Sequence, residues 1–363
     1  MLDKVSSSID ARPPAEPPER ALATAMAASL VHVSDAEPGL RRKRTANGFR
    51  YIDIKGKPVS DRLIIERINT LVIPPAWEDV WICADPDGHI QVTGRDLRGR
   101  KQYRYHPRWS ATREDVKYSS LVKFAQALPA LRGRIDQDLR KRGLPRERVL
   151  ASVVWLLDNT MIRVGNAVYA RENKSFGLTT LRSRHVAVDG AKLRFAFKGK
   201  SGKEWRLQLV DRRMAKVMRS IQDLPGQHLF QFLDEDGERR RIGSQDVNAY
   251  LREASGADFS SKHFRTWGGT VRALTLFADT PLPETKAATA RAMNEIIDAV
   301  ANHLGNTRSV CRKCYIHPQV MASWLEGTLP GEIATAKRSR RRRPDGLDEE
   351  EMLVLNWLTA RKA

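Results

Sequence analysis

Cysteine is nearly absent from this chain of 363 residues: Cys83, Cys311 and Cys314 are the only three. So sparse and odd a set excludes a secreted disulfide framework and points to a reducing, cytoplasmic setting. Cys311 and Cys314 form a single CxxC with no second pair, so zinc would lack two ligands. No apolar run reaches the roughly 18 residues of a membrane span. The moderately apolar stretch Ala21–Val31 follows a Pro- and acid-containing segment, unlike a signal peptide, and reads as a first helix. There is no GxxxxGK[ST] loop and no acidic cluster suited to magnesium, so neither a nucleotide nor a metal cofactor is expected. Acidic residues are themselves in the minority, with 43 Asp+Glu against 63 Lys+Arg and a net charge of +20. That surplus implies a polyanionic partner, nucleic acid first, although a ribosome-associated or merely basic soluble protein has the same balance.

The chain is long enough for two domains. Residues 1–20, with ARPPAEPPER among them, read as a disordered tail. Residues 21–112 read as a small β-rich domain. FRYIDIKGKPV, DVWICADPDGHIQVTG and GRKQYRYHPRW set aromatic and β-branched residues between Gly, Pro and Asp turns, with one short helix in DRLIIERINTLVIP. Residues 113–360 read as a larger, mostly helical domain. One helix after Pro145 is apolar at Val149, Leu150, Val153, Val154, Leu157 and Met161; another is capped by Ser244 and stopped by Gly256. A β insert interrupts them: HVAV, the turn Asp189-Gly190 and KLRFAFK form a hairpin, and EWRLQLV returns after the tip GKSG. The basic run 337–343 precedes a last helix opened by Asp348, whose acids suit a helix N-terminus. The fold class is therefore α+β.

Four residues stand in an order that suits phosphodiester chemistry: Arg163 in MIRVGN, Lys200 in FKGKSGK, Arg265 in KHFRTWGGT and Tyr315 in CRKCYIHP. Breaking such a bond without a metal needs a nucleophile, cations on the non-bridging oxygens and an acid for the leaving oxygen. Of seven tyrosines only Tyr315 follows all the cations, in a segment that also carries Arg308, Arg312 and Lys313. Guanidinium forks match phosphate oxygens, which suits Arg163 and Arg265. Lys262 precedes Arg265 by one helical turn, while Gly268 and Gly269 follow it and let a backbone come close. Lys200, on a glycine-flanked hairpin tip with Lys198 and Lys203 as rivals, can reach into a groove and protonate a leaving oxygen. Taken singly, each also fits a solvated basic surface.

Together these segments resemble the type IB DNA topoisomerases of the bacterial and poxvirus-like branch, over roughly residues 24–360. The resemblance implies the nucleophile at Tyr315, the catalytic arginines at Arg163 and Arg265, and the acid at Lys200. Asn306, in LGNT, stands where the poxviral pattern has histidine, and His303 lies three residues too early. Its amide can donate to a non-bridging oxygen but carries no charge. The resemblance further implies duplex DNA contacts by Gln102, Tyr103 and Tyr105, by Tyr169 and by Lys262, and a C-shaped clamp of the two domains. Strand alternation separately puts Lys101, Tyr103 and Tyr105 on one face. The implied activity is ATP- and metal-independent relaxation of supercoiled DNA through a 3′-phosphotyrosyl intermediate, by a monomer at the nucleoid. A tyrosine recombinase shares the order Arg, Lys, Arg, Tyr, although it usually carries histidine where Lys262 stands. A non-catalytic architectural DNA binder would share only the charge.

Overall fold

The computed structural model describes residues 10–11, 18–339 and 342–361. Most of the expected tail over residues 1–20, and Arg340 and Arg341 of the basic run, lie outside the described residues. The chain divides into two compact units, Met1–Ser119 and Ser120–Ala363.

In the first unit, strand β1 (Asp10–Ala11) and helix α1 (Pro18–Ala27) precede strands β2 (Leu40–Thr45) and β3 (Gly48–Ile52). Helix α2 (Arg62–Thr70) and strands β4 (Glu78–Ile82), β5 (Ile90–Arg95) and β6 (Lys101–Tyr105) follow. The strands make one antiparallel sheet in the order β1-β6-β5-β4-β2-β3. Helix α2 starts where the Asp61 carboxylate accepts from the Leu63 and Ile64 amides, and packs Ile68 on Leu40, Trp77, Val80, Ile82 and Val92. The four consecutive cations Arg41–Arg44 lie within strand β2. Arg42 turns back and donates to the Pro74 and Trp77 carbonyls at 3.0 and 2.6 Å, tying β2 to the chain after α2.

The division between the units falls within helix α3 (Pro107–Leu139). In the second unit α4 (Arg146–Thr160) carries the expected apolar stripe, with Val149, Leu150, Val153, Val154 and Leu157 buried. Met161 does not continue it, as the periodicity suggested; it leaves the helix left-handed at φ 55°. After α5 (Ala167–Asn173), strands β7 (Val186–Asp189), β8 (Lys192–Lys198) and β9 (Glu204–Val210) form a three-stranded antiparallel sheet. Leu193, Phe195 and Phe197 are buried on one of its faces, over α6 (Arg212–Gln222), and Trp205, Leu207 and Leu209 are half-buried. A small hairpin of β10 (Gln231–Leu233) and β11 (Arg239–Arg241) leads to α7 (Ser244–Ser255). Ser244 is the first residue of α7 rather than its cap. The cap is Gly243, whose amide donates to Asp246 Oδ2 at 2.8 Å, and Gly256 ends the helix at φ 63°.

Helices α8 (Ser261–Ala278), α9 (Lys286–His303), α10 (Arg308–Cys314), α11 (Pro318–Leu325), α12 (Leu329–Lys337) and α13 (Glu349–Ala360) complete the unit. The start of α8 is closed by a histidine, not by the serine hydroxyls: the Ser260 amide donates to His263 Nδ1 at 3.0 Å. Asp348 caps α13, accepting from the Glu351 amide at 2.7 Å. Among the described residues no helix is long and apolar enough to cross a membrane.

One ion cluster joins four of these helices. Arg132 of α3 donates to Asp158 of α4 at 2.7 and 2.8 Å and to Glu351 of α13 at 2.6 and 2.9 Å, while Trp267 Nε1 of α8 donates to Glu351 Oε1 at 2.9 Å. Burial alone would raise the Glu351 carboxyl, but Arg132 and Trp267 outweigh it and hold it below its ordinary value. Asp158 stays raised, through burial first and despite Arg132. Arg132→Met would leave two carboxylates facing each other, at a cost of about 3–5 kcal/mol. With both carboxyl pKa values then raised above the unfolded range, protonation favours the folded variant. Chemical unfolding should therefore show the gap to wild type narrowing between pH 7 and pH 5.

Candidate active site

The site is built on two helix ends. Helix α4 ends at Met161, and the chain then runs without regular structure through Arg163. Its path is pinned by the Leu178 amide, which donates to the Arg163 carbonyl at 2.9 Å. Gly177 passes so close that a Cβ there would lie 2.5 Å from that same carbonyl oxygen. Helix α9 ends in a cap in which the Gly305 and Asn306 amides donate back to Asn302 and Ala301 at 3.1 and 2.8 Å, with Gly305 at φ +59°. This cap sets Asn306 just before α10, and α10 ends on Tyr315.

Arg265, in the first turns of α8, lies beneath both ends and is 3% exposed. It donates to the Met161 carbonyl through Nη1 and to the Leu304 carbonyl at 2.7 Å through Nη2. Its guanidinium carbon stands 4.9 Å from the centre of the Tyr315 ring. Gly269, one turn on, allows this approach, because a Cβ there would fall 2.7 Å from the Tyr315 carbonyl oxygen. Gly268 faces Met161 instead. Thr270 Oγ1 donates to the Tyr315 carbonyl at 3.3 Å, so the tyrosine backbone is held to α8 as well.

Arg163 closes the other side. It donates to the Gly305 carbonyl at 3.4 Å and to Asn306 Oδ1. Its pKa is lowered to about 10, by burial first and then by the like charge of Arg265, with the Tyr315 phenol opposing. No carboxylate pairs with Arg163 or Arg265 among the described residues. The bond from Arg163 fixes the orientation of the Asn306 amide, leaving Nδ2 on the far side. Asn306 Nδ2 and Arg265 Nε are both buried without a hydrogen-bond partner among the described residues. Such donors cost about 1–3 kcal/mol each when left unsatisfied.

Lys200 opens a short 3-10 turn, Lys200–Gly202, between β8 and β9. Its ammonium is held below the ordinary lysine range by burial first, then by Arg163, while Tyr315 and Cys314 oppose and Arg265 adds to the lowering. Those charges place it near Arg163, Tyr315 and Arg265, on a residue that is exposed overall. Its rival Lys203 also reaches the site but is engaged there, donating to the Asn306 carbonyl. Trp205, at the start of β9, borders the site: a Cβ on Gly305 would fall 2.5 Å from its indole. Cys311 is buried and its thiol pushed up to about 12, by desolvation first, which suits a packing role. Among the described residues no group of three His, Cys, Asp or Glu could hold a metal ion.

The remaining candidates are placed less uniformly. Lys262 is exposed in the first turn of α8 while Arg265 is buried, so the two do not share an environment. Tyr169 is half-buried on α5. In the first unit, Tyr103 and Tyr105 stack at 6.0 Å with planes 11° apart, and Lys101 lies 5.5 Å over the Tyr103 ring and pairs with Asp35. Gln102 is a correction. At 2% exposure it points away from that face and donates to Asp96 at 3.0 Å, because strand alternation turns it inward.

Comparison with known proteins identifies the family. Residues 106–338 match the family described as eukaryotic DNA topoisomerase I, catalytic core, and residues 48–96 match the bacterial DNA topoisomerase IB N-terminal domain. DNA topoisomerase 1B of Acanthamoeba polyphaga mimivirus is 32% identical over 289 residues, covering 77% of this chain and 85% of the relative. DNA topoisomerase 1B of Vaccinia virus (strain Copenhagen) is 24% identical over 263 residues, covering 70% and 76%. DNA topoisomerase 1 of Rabbit fibroma virus is 22% identical over 233 residues, covering 63% and 70%. The chain belongs to the type IB DNA topoisomerases, of the poxvirus-like and bacterial kind.

Proposed function

We propose that Tyr315, Arg163, Lys200, Arg265 and Asn306 carry out the strand cleavage and rejoining of a type IB topoisomerase on supercoiled duplex DNA. The observation that carries this reading is the accumulation of unpaired positive charge around one phenol. Two guanidiniums without a carboxylate meet at Tyr315, and two buried donors beside them have no acceptor. A phosphodiester supplies the missing charge and oxygens.

In this mechanism the Tyr315 oxygen attacks the scissile phosphorus and the bond to the 5′-oxygen breaks. The phenol gives up its proton to solvent, and the Lys200 ammonium delivers its own to the leaving oxygen, which departs as a 5′-hydroxyl; solvent then reprotonates the lysine. Arg265 and Arg163 lower the cost of phenolate and hold the phosphoryl oxygens, and Asn306 Nδ2 donates to one of them. Rotation about the intact strand releases torsion, and the 5′-hydroxyl then reverses the chemistry. The covalent link conserves the bond energy, so the cycle needs no ATP, and the arginines and lysine take the place of a metal on the phosphate. Lys101, Tyr103, Tyr105, Tyr169 and Lys262 contact the duplex, with the two domains as a clamp acting as a monomer at the nucleoid. A recombinase finds little support beside the match over residues 48–96.

Wild type should relax supercoiled plasmid in EDTA without ATP. Tyr315→Phe should give no relaxation and no covalent adduct on denaturing gels, yet bind the same duplex. Relaxation by Tyr315→Phe would sink the assignment. Asn306→Ala should slow single-turnover cleavage about 10²-fold, the usual cost of one lost oxyanion donor. Lys200→Ala should slow it about 10²–10⁴-fold. An acid works only while protonated, so wild-type cleavage should decline on the alkaline side, below the ordinary lysine value of about 10.4. Lys200→Ala should lack that alkaline decline.

A further inference from the structure

We propose that Trp205 is the positioning residue for Lys200, holding the turn that bears the lysine against the cap of α9 that bears Asn306. This rests on Lys200 being the acid, as argued above. The turn has little of its own to fix it. The Gly199 amide donates to Lys203 at 2.7 Å, the Gly202 amide donates to Gly199 at 3.1 Å, and Gly202 sits at φ +75°. A four-carbon ammonium on so short a tip would sample many positions.

The indole of Trp205 limits that freedom from two sides. A Cβ on Gly199, at the start of the turn, would fall 2.7 Å from Trp205 Cδ1 and Nε1. A Cβ on Gly305 would fall 2.5 Å from Trp205 Cζ2 and 2.8 Å from Cε2. One ring therefore fills the space between two glycines, one on the acid's turn and one beside the phosphate-binding amide. Phe197, buried across the ladder on β8, stacks with the indole at 6.0 Å with planes 2° apart and fixes it from the sheet. Lys203 adds a second tie from the same turn, to the Asn306 carbonyl. Gly305 is required twice over, by its left-handed backbone and by the indole against it. The contact makes the distance from acid to phosphate a property of the folded enzyme, set before DNA arrives.

A loss of positioning can be told from general damage by changing the leaving group. An alkyl thiol ionises near 8.5, so a 5′-bridging sulfur departs as thiolate without a proton. Single-turnover cleavage would be measured on matched suicide duplexes carrying oxygen or sulfur at that position. Trp205→Ala should lose about 10²-fold on the oxygen substrate, the cost of a misplacement of about 1 Å, and recover nearly all of it on the sulfur substrate. Trp205→Phe should lose less, with the same preference for sulfur, and it carries the test alone if Trp205→Ala does not fold. Equal losses on both substrates, or no loss on either, would overturn the proposal. Lys200→Ala, run alongside, separates the two readings. Recovery on sulfur supports its role as acid, and an equal deficit on both substrates would remove that role whatever Trp205 does.

Discussion

A guanidinium buried inside the second unit sets the geometry of everything near it. Arg265 is almost wholly removed from solvent, and a cation so placed costs several kcal/mol unless its surroundings replace water. Here two helix ends do so. Met161 and Leu304 close α4 and α9, and their carbonyls belong to C-termini where the helix dipole is negative. The carbonyls lie 104 and 39 residues from Arg265 in sequence, so holding one side chain brings two remote segments together. Arg163 follows directly from the first segment and Asn306 from the second. Tyr315 then completes the site by laying its ring over the same guanidinium.

Two half-buried arginines of this unit, Arg132 and Arg163, are separated by their charge balance. Arg132 is compensated by Asp158 and Glu351, and its pKa is raised. That arrangement holds helices together and leaves nothing for a ligand. Arg163 has carbonyl and amide oxygens and the Tyr315 phenol beside it but no carboxylate among the described residues, lies near a second cation, and its pKa is lowered. Such an excess of positive charge opposes folding locally and favours an anion when one arrives.

Much of the fold was legible because local rules and tertiary demands agree in it. Asp61 and Asp348 cap helices where an aspartate before an apolar stripe suggests, and the Asp189-Gly190 turn joins β7 to β8. The misses have particular causes. The basic run at Arg41–Arg44 carries no period-2 apolar signal, since its strand pairing depends on neighbours and on Arg42 reaching carbonyls more than thirty residues away. Ser244 looks like a cap, but it is Asp246 that reaches back to the leading amide of Gly243. The stripe of α4 includes Met161, yet its left-handed turn is what frees the carbonyl that Arg265 uses.

Within the site, residue types and their order were determined by the sequence itself. A late tyrosine, two arginines, a glycine-flanked lysine and an amide in place of imidazole are chemical identities, and identity is local. Which cation is buried and which is exposed, and which lysine of GKSGK is tied to the Asn306 carbonyl, was decided only by tertiary structure. The same holds for the indole between Gly199 and Gly305. Each of these depends on contacts between residues far apart in the chain, and a pattern of spacings does not encode the distance that two helix ends and one ring impose.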